Sequence, residues 1–281
     1  MKKFIIKDSV LSVEPGLIMG ILNVTPDSFS DGGLYNTPEA AAAHAEQMVR
    51  DGACILDIGA MSTRPGSEKL TPAQELERLK IFLPIVRKSV NVPISVDTIY
   101  PISAEYSLNN GAQIINDVSG KFNEEMAAVV KRHGAGWIIM HNRTDNAAQN
   151  AEYKNGVLND TNEFFRDMLS LCENYGLSQS QICLDPGFGF GKTCRDNVAI
   201  LKNFNQLESN GCVLLAALSR KRFIGEITGV ADAEKRVSGS VAAGMLAVAD
   251  GADMLRVHDV AETSQAIKIM REVQPHIWTR L

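Results

Sequence analysis

The stretch LIMGILNVTPDSFSDGG, Leu17 to Gly33, decides how the rest of the chain is read. Its apolar run, Leu17 to Leu22, ends at Asn23. The pattern then breaks into Thr25, Pro26, Asp27, Ser28, Ser30, Asp31, Gly32 and Gly33. A short apolar run suits a strand buried on both faces. Pro and Gly among clustered polar groups mark a loop. The loop carries more side-chain oxygens than a turn needs, so it reads as a surface loop or as part of a site.

Outward from this stretch the same unit recurs. Thr37-Pro38 caps and opens a helix to Arg50, closed by Asp51-Gly52, and CILDIG (Cys54 to Gly59) is the next strand. Thr71-Pro72 opens a helix to about Ser89 before the strand ISVD, Ile94 to Asp97. Pro101 to Asn109 is a helix, IIND (Ile114 to Asp117) a strand, and Asn123 to His133 a helix. WIIMHN (Trp137 to Asn142) is a strand, and a polar loop from Arg143 to about Asn159 precedes a helix from Thr161 to Tyr175. Strands ICLDPG (Ile182 to Gly187), VLLAALS (Val213 to Ser219) and MLRVHD (Met254 to Asp259) follow. Their helices are expected over 196–207, 234–250 and 261–272, and residues 1–16 form a short strand or hairpin ahead of the main fold.

Strands alternating with helices give parallel sheets with right-handed crossovers. Eight such units in about 250 residues describe a closed (β/α)8 TIM barrel. The rival, an open doubly wound sheet, would often carry a Gly-rich fingerprint after its first strand, and NVTPDSF stands there instead. No linker or low-complexity tract divides the chain, so 1–281 reads as a single domain, with 1–16 an N-terminal extension and 17–275 the barrel.

The bulk numbers exclude some classes. A chain of 281 residues with 45% hydrophobic and 22% charged residues fits an α/β globular protein. A formal net charge of -5 does not suggest wholesale nucleic-acid binding, and no apolar stretch is long enough to span a bilayer. The N-terminus makes a poor signal peptide, and five cysteines without paired spacing suit a reducing cytoplasm. Cys54, Cys183 and Cys212 sit in or beside apolar runs and read as small core residues.

In such a barrel the C-terminal strand ends face the active site. Those ends are Asn23, Asp57, Asp97, Asn116 and Asp117, His141 and Asn142, Asp185, Ser219 to Lys221, Arg256 and His258. Each alone has an ordinary reading: Asp97 as a helix cap, His141 as a satisfied core histidine, Asp57 as a partner of neighbouring amides. Together they are costly to bury without a ligand. Asp97, Asp185 and Asn116 suit a heterocycle with several N–H groups, and Lys221, Arg256, His258 and Arg64 suit a phosphate. Asn23 suits a hard cation bridging phosphates. GFGFGK, Gly187 to Lys192, has some likeness to a phosphate loop but lacks the full pattern.

The motifs ILNVTPDSFSDGG, DIGAMSTRPGS, SVDT, INDVSG, LDPGFGFGK, SRKRF and RVHD, in this order, resemble those of the bacterial dihydropteroate synthases, over about residues 17–275. The resemblance implies a TIM barrel, paired as a homodimer. It implies a transferase that joins 6-hydroxymethyl-7,8-dihydropterin diphosphate to 4-aminobenzoate, releasing pyrophosphate in the sulfonamide-sensitive step of folate synthesis. By resemblance, Asp185, Asn116 and Asp97 contact the pterin and Lys221 donates to its carbonyl. Arg256 flanks the ring and, with His258 and Asn23, binds the diphosphate. Asn23 is also the implied Mg2+ ligand. Thr63, Arg64 and Pro65, with Asp27, Ser28, Phe29 and Phe190, shape the aminobenzoate pocket. Catalysis would rest on Asp97, Lys221, Arg256 and Arg64. Arg222 departs from a serine common at that position, so its contact to the aminobenzoate carboxylate would run through its amide or side chain. Two other readings are a corrinoid methyltransferase with the same pterin pocket and a non-catalytic pterin binder. The TPDSF and STRPG loops disfavour the first; Asn23, Arg64, Lys221 and Arg256 disfavour the second.

Overall fold

The computed structural model describes residues 2–24, 37–60, 70–144 and 150–279. The expected N-terminal hairpin is present as β1 (Lys2–Ile6) and β2 (Ser9–Val13), antiparallel to each other. Eight further strands follow among the described residues: β3 (Leu17–Asn23), β4 (Ile55–Gly59), β5 (Ile94–Asp97), β6 (Ile114–Asp117), β7 (Gly136–Met140), β8 (Ile182–Asp185), β9 (Val213–Ala216) and β10 (Met254–Val257). They pair parallel in sequence order, and β10 closes on β3. This is a TIM barrel, and closure excludes the open-sheet rival.

The short apolar runs become strands because each must be dry on both faces. One face packs outward, where Leu56, Ile58, Ile115 and Ile139 meet helix residues such as Leu79, Val130 and Phe165. The other fills the barrel with Met19, Ile55, Ile114, Ile138, Cys183, Leu215 and Met254. Phe4, Ile6 and Val13 of the hairpin join this inner cluster and plug the barrel at the N-terminal ends of its strands. Lys2 Nζ anchors the plug, donating to Asp253 Oδ2 and Cys212 O at 2.8 Å each.

The crossover helices are α1 (Pro38–Asp51), α2 (Pro72–Ser89), α3 (Pro101–Asn109), α4 (Glu124–His133), α5 (Val157–Tyr175), α6 (Cys194–Lys202), α7 (Arg222–Thr228), α8 (Val237–Ala249) and α9 (Val260–Val273). Their starts follow the caps expected from sequence. Thr37 accepts from Ala40 N, Thr71 forms a capping box with Gln74, and Asn123 accepts from Glu125 N and Met126 N.

Several boundaries differ from expectation. β7 stops at Met140 and β9 at Ala216, which leaves His141 and Ser219 in loops. α5 starts at Val157, a turn earlier than Thr161, with Gly156 at its N-cap. The helix expected over 196–207 ends at Lys202 and resumes as a 3-10 turn, Phe204–Gln206. The helix expected from Glu234 starts as a 3-10 turn, Ala233–Arg236, and continues as α8. α7 was not foreseen. Cys54 is exposed rather than a core residue, because Ala53 beside it takes the buried position ahead of β4. No helix of the described residues is long and apolar enough to cross a membrane.

The plug should carry measurable stability. Phe4 is fully buried, and Phe4→Ala is expected to cost about 3–5 kcal/mol. Urea denaturation of the two chains reads this directly. A loss under about 1 kcal/mol would make the hairpin peripheral to the barrel.

Candidate active site

Side chains alternate along a strand, so the residue two places beyond an inner apolar residue also faces inward. Beyond Ile55, Ile114, Cys183 and Met254, which fill the barrel, stand Asp57, Asn116, Asp185 and Arg256. Ser95 lies level with Asp57, and two places on is Asp97. One step along four strands therefore changes the interior from apolar to polar, and on β5 both Ser95 and Asp97 are polar. The polar layer lies at the C-terminal ends.

Arg256 joins this layer together. Its Nε donates to Asp57 Oδ2 at 2.6 Å and its Nη2 to Asp97 Oδ2 at 2.9 Å. Asp57 Oδ2 also accepts from Asn116 Nδ2 at 3.0 Å. Burial lowers the pKa of Arg256, but Asp57 and then Asp97 more than offset it, so the net shift is upward. Burial pushes Asp97 up to about 7, against the pull of Arg256, with Asp57 and Glu75 adding to the rise. Glu75 of α2 lies fully buried behind β5 and accepts from Thr98 Oγ1. Asp185 accepts Gly187 N at 2.7 Å, and burial raises its pKa against that amide and the nearby Lys221, Lys192 and Arg256.

Lys221, the N-cap residue of α7, completes the ring of charge. Burial and then Arg256 draw it down to about 8, while Asp185 and Asp97 oppose the shift. Its Nζ lies 4.4 Å from the centroid of the half-buried Phe190 ring, a cation–π distance. His258 stands at the end of β10, where its amide and Nδ1 both meet Ser219 Oγ, at 3.2 and 3.0 Å. Behind that contact, Arg220 holds a left-handed φ of 59° and donates to both oxygens of Asp259. The two turns that carry Lys221 and His258 are thereby tied together. Asn23 ends β3, half-buried and level with Gly59.

Other strand-end residues face elsewhere. His141 is fully buried against α5, with Nε2 2.7 Å from Asp160 Oδ1, and burial lowers it to about 4. It is a satisfied core histidine. Asp117 accepts Ser119 N at 2.9 Å, and burial raises it to about 6. Asn142 turns to Val118 O. Arg222 is exposed and pairs with Glu226 Oε1 at 3.0 Å along α7, so its side chain does not reach into the mouth. Thr63, Arg64 and Pro65, with Asp27, Ser28 and Phe29, lie outside the described residues.

Sequence reasoning underrated two residues. Asp57 is a partner of Arg256 and Asn116 rather than of backbone amides, and its place two residues beyond Ile55 was the available signal. Lys192 is buried beneath the loop that follows β8 and donates to three carbonyls. Nothing in the sequence separates it from a surface lysine.

Known proteins resemble this chain over most of its length. The family described as pterin binding enzyme matches residues 19–258. A curated relative, the dihydropteroate synthase of Synechocystis sp., is 42% identical over 254 residues, covering 90% of this chain and 88% of its own. The solved Xanthomonas albilineans dihydropteroate synthase with 4-aminobenzoic acid is 40% identical, with a TM-score of 0.88 over 94% of this chain and 95% of that one. The Thermus thermophilus dihydropteroate synthase in complex with 6HMPPP is 38% identical, with a TM-score of 0.83 over 97% of this chain and 100% of that one.

The burial of Asp97 has a pH signature. Its raised pKa means that the folded chain holds this proton more tightly than the unfolded chain does. That contribution is complete below the ordinary Asp value and is lost as pH rises through about 7. Asparagine does not titrate. Relative to wild type, Asp97→Asn should therefore gain Tm on going from about pH 5 to about pH 8. Thermal melts at both pH values check this, and an unchanged Tm difference would sink the assignment.

Proposed function

The chain belongs to the pterin-binding enzyme family, and from that premise we propose that it works as the dihydropteroate synthases do. It would join 6-hydroxymethyl-7,8-dihydropterin diphosphate to 4-aminobenzoate, giving 7,8-dihydropteroate and pyrophosphate. One observation carries this reading to the residues. Asp57 Oδ1 and Asn116 Oδ1 are buried without a hydrogen-bond partner, in the same layer as Asp185 and Arg256. Such acceptors each cost about 1–3 kcal/mol if left unpaired, and a ligand edge rich in N–H groups removes the cost.

A pterin has such an edge. Asp185 accepts from its 2-amino and ring N–H groups, with Asn116 beside it, and Lys221 Nζ donates to its carbonyl. Arg256, fixed by two carboxylates, flanks the ring and turns Nη1 toward the diphosphate, which His258 and Asn23 also meet. In the reaction the bond between the pterin methylene carbon and the diphosphate oxygen breaks, and the electron pair leaves with pyrophosphate. Asp97 stabilises positive charge on the pterin as that bond stretches. The arylamine nitrogen then forms the new C–N bond and loses a proton, with no protein nucleophile. Phe190 forms one wall of the aminobenzoate pocket; Thr63, Arg64, Asp27, Ser28 and Phe29, which the resemblance assigns to that substrate, lie outside the described residues.

Asn23 fits a magnesium ion in kind: it offers a neutral, hard oxygen. Among the described residues no group of three or more His, Cys, Asp or Glu could hold a metal. An ion at Asn23 would take most of its ligands from phosphate oxygens and water, as Mg2+ does. When bound, it supplies charge neutralisation for the leaving pyrophosphate. A homodimer in the cytoplasm, each chain a single domain with its barrel over 17–275, completes the proposal.

Pyrophosphate release is the direct assay. It should require the pterin diphosphate and 4-aminobenzoate together, fall on addition of EDTA and return with Mg2+. Release that ignores 4-aminobenzoate would refute the reaction, and release unaffected by EDTA would refute the metal.

A second test isolates Asp185. Its replacement by Ala should weaken pterin binding by about 2–3 kcal/mol, the cost of stranding donors against an apolar wall. Calorimetric affinity close to wild type would remove Asp185 from the pterin contacts.

A further inference from the structure

The glycine-rich loop after β8 is built around a buried lysine, whose pKa burial draws down to about 7 while Asp185 and Asp160 favour its charged form. Gly187, Gly189 and Gly191 take positive φ of 68°, 80° and 64°. A Cβ at Gly187 would come within 2.1 Å of His141 O, so only glycine allows the curl. The curl turns carbonyl oxygens inward. Lys192 Nζ donates to Gly187 O at 3.0 Å and to Phe190 O and His141 O at 3.2 Å each. Each ammonium hydrogen thus has an acceptor. A phosphate-binding loop does the reverse and turns amides toward an anion.

Lys192 is 3% exposed, and it makes no contact assigned to substrate. Other groups hold the loop from outside. Asn197 Oδ1 accepts Gly189 N at 2.8 Å, and Gly191 O accepts from Ala151 N at 2.7 Å and Tyr153 Oη at 3.1 Å. What the loop presents to the mouth is the Phe190 ring, on which Lys221 rests.

We propose that Lys192 is a positioning residue for the second substrate: its ammonium, seated on three carbonyls, fixes Phe190 beside Lys221 and so shapes the slot for a flat aromatic carboxylate. Without that charge the carbonyls face one another with no donor between them, and the loop relaxes outward to reach water. Asp185 is less exposed to this change, because it belongs to β8 and pairs in register with Met140. The effect therefore falls more on the aromatic amine than on the pterin. This inference rests on the reaction proposed above.

The test is Lys192→Met, which keeps the apolar stem and deletes the ammonium. The KM for 4-aminobenzoate should rise about tenfold or more, while the KM for the pterin diphosphate stays within about twofold. Amide exchange at Gly189 and Phe190 should quicken in the same variant. Should Lys192→Met fail to fold, Asn197→Ala loosens the same loop with the lysine in place, and the same split between the two KM values is required of it. A wild-type chain that turns over without 4-aminobenzoate overturns the reaction and this proposal with it. A wild-type chain that uses 4-aminobenzoate, beside a variant whose two KM values stay put or rise together, overturns the role of Lys192 alone. Faster exchange with an unchanged aminobenzoate KM would likewise reduce Lys192 to a structural residue.

Discussion

The active end of the barrel depends on one buried charge, the Arg256 guanidinium held between Asp57 and Asp97. The strand order is β10-β3-β4-β5, so the arginine reaches across one strand to Asp57 and across two to Asp97. Only closure of the sheet makes that span short enough. Taking such charges out of water is expensive, and the mutual attraction repays it only with good geometry. Bonds of 2.6 and 2.9 Å meet that condition. Removing one partner would leave a buried charge uncompensated, a loss of about 3–5 kcal/mol in comparable pairs. The triad is therefore better understood as preorganisation than as a source of stability. The protein meets the cost of orienting Arg256 in folding, before any ligand arrives.

The opposite end of the barrel explains how this is tolerated. On four strands the inner positions change from apolar to polar in one step, and the hairpin residues Phe4, Ile6 and Val13 seal the apolar side. Water reaching the interior from below would weaken every charge interaction above it, since these are strong only where the effective dielectric is low. The plug, which contributes no functional side chain, thus acts on the site by keeping its floor dry.

Much of this was legible in the sequence, for reasons that differ by element. The strand–helix repeat was legible because strands dry on both faces must be continuous apolar runs. The starts of α1, α2 and α4 were legible because Thr37, Thr71 and Asn123 cap by local hydrogen bonds. α7 was not, since seven residues after a charged turn carry no periodic signal. The strand-end rule gathered Asp97, Asn116, Asp185, Lys221 and Arg256, which the structure brings together, yet it also admitted His141, whose side chain turns outward to Asp160. The rule marks the end of a strand, whereas inward or outward orientation follows the alternation with Ile55, Ile114, Cys183 and Met254. The burial of Lys192 was illegible, because its acceptors come from a curled backbone and from His141 O, about fifty residues away in sequence.

Charge balance gives the site a direction. Among the described residues around the inner mouth, Asp57, Asp97 and Asp185 are offset by Arg256, Lys221 and Lys192. Groups so matched leave little net positive field for an anionic substrate. Lys192 is spent on carbonyls, and Nε and Nη2 of Arg256 on two carboxylates. A diphosphate entering this mouth would need charge beyond what Arg256 offers, which is the part proposed for His258, for Arg64 and for a magnesium ion at Asn23. Of these, Asn23 ends β3 and His258 follows β10. A neutral floor suits an uncharged ring with many N–H groups, and a cationic rim suits its anionic tail. Under the proposed function such a division would give the bond between ring and tail a field that strengthens as charge develops, positive over the carboxylates and negative toward the rim.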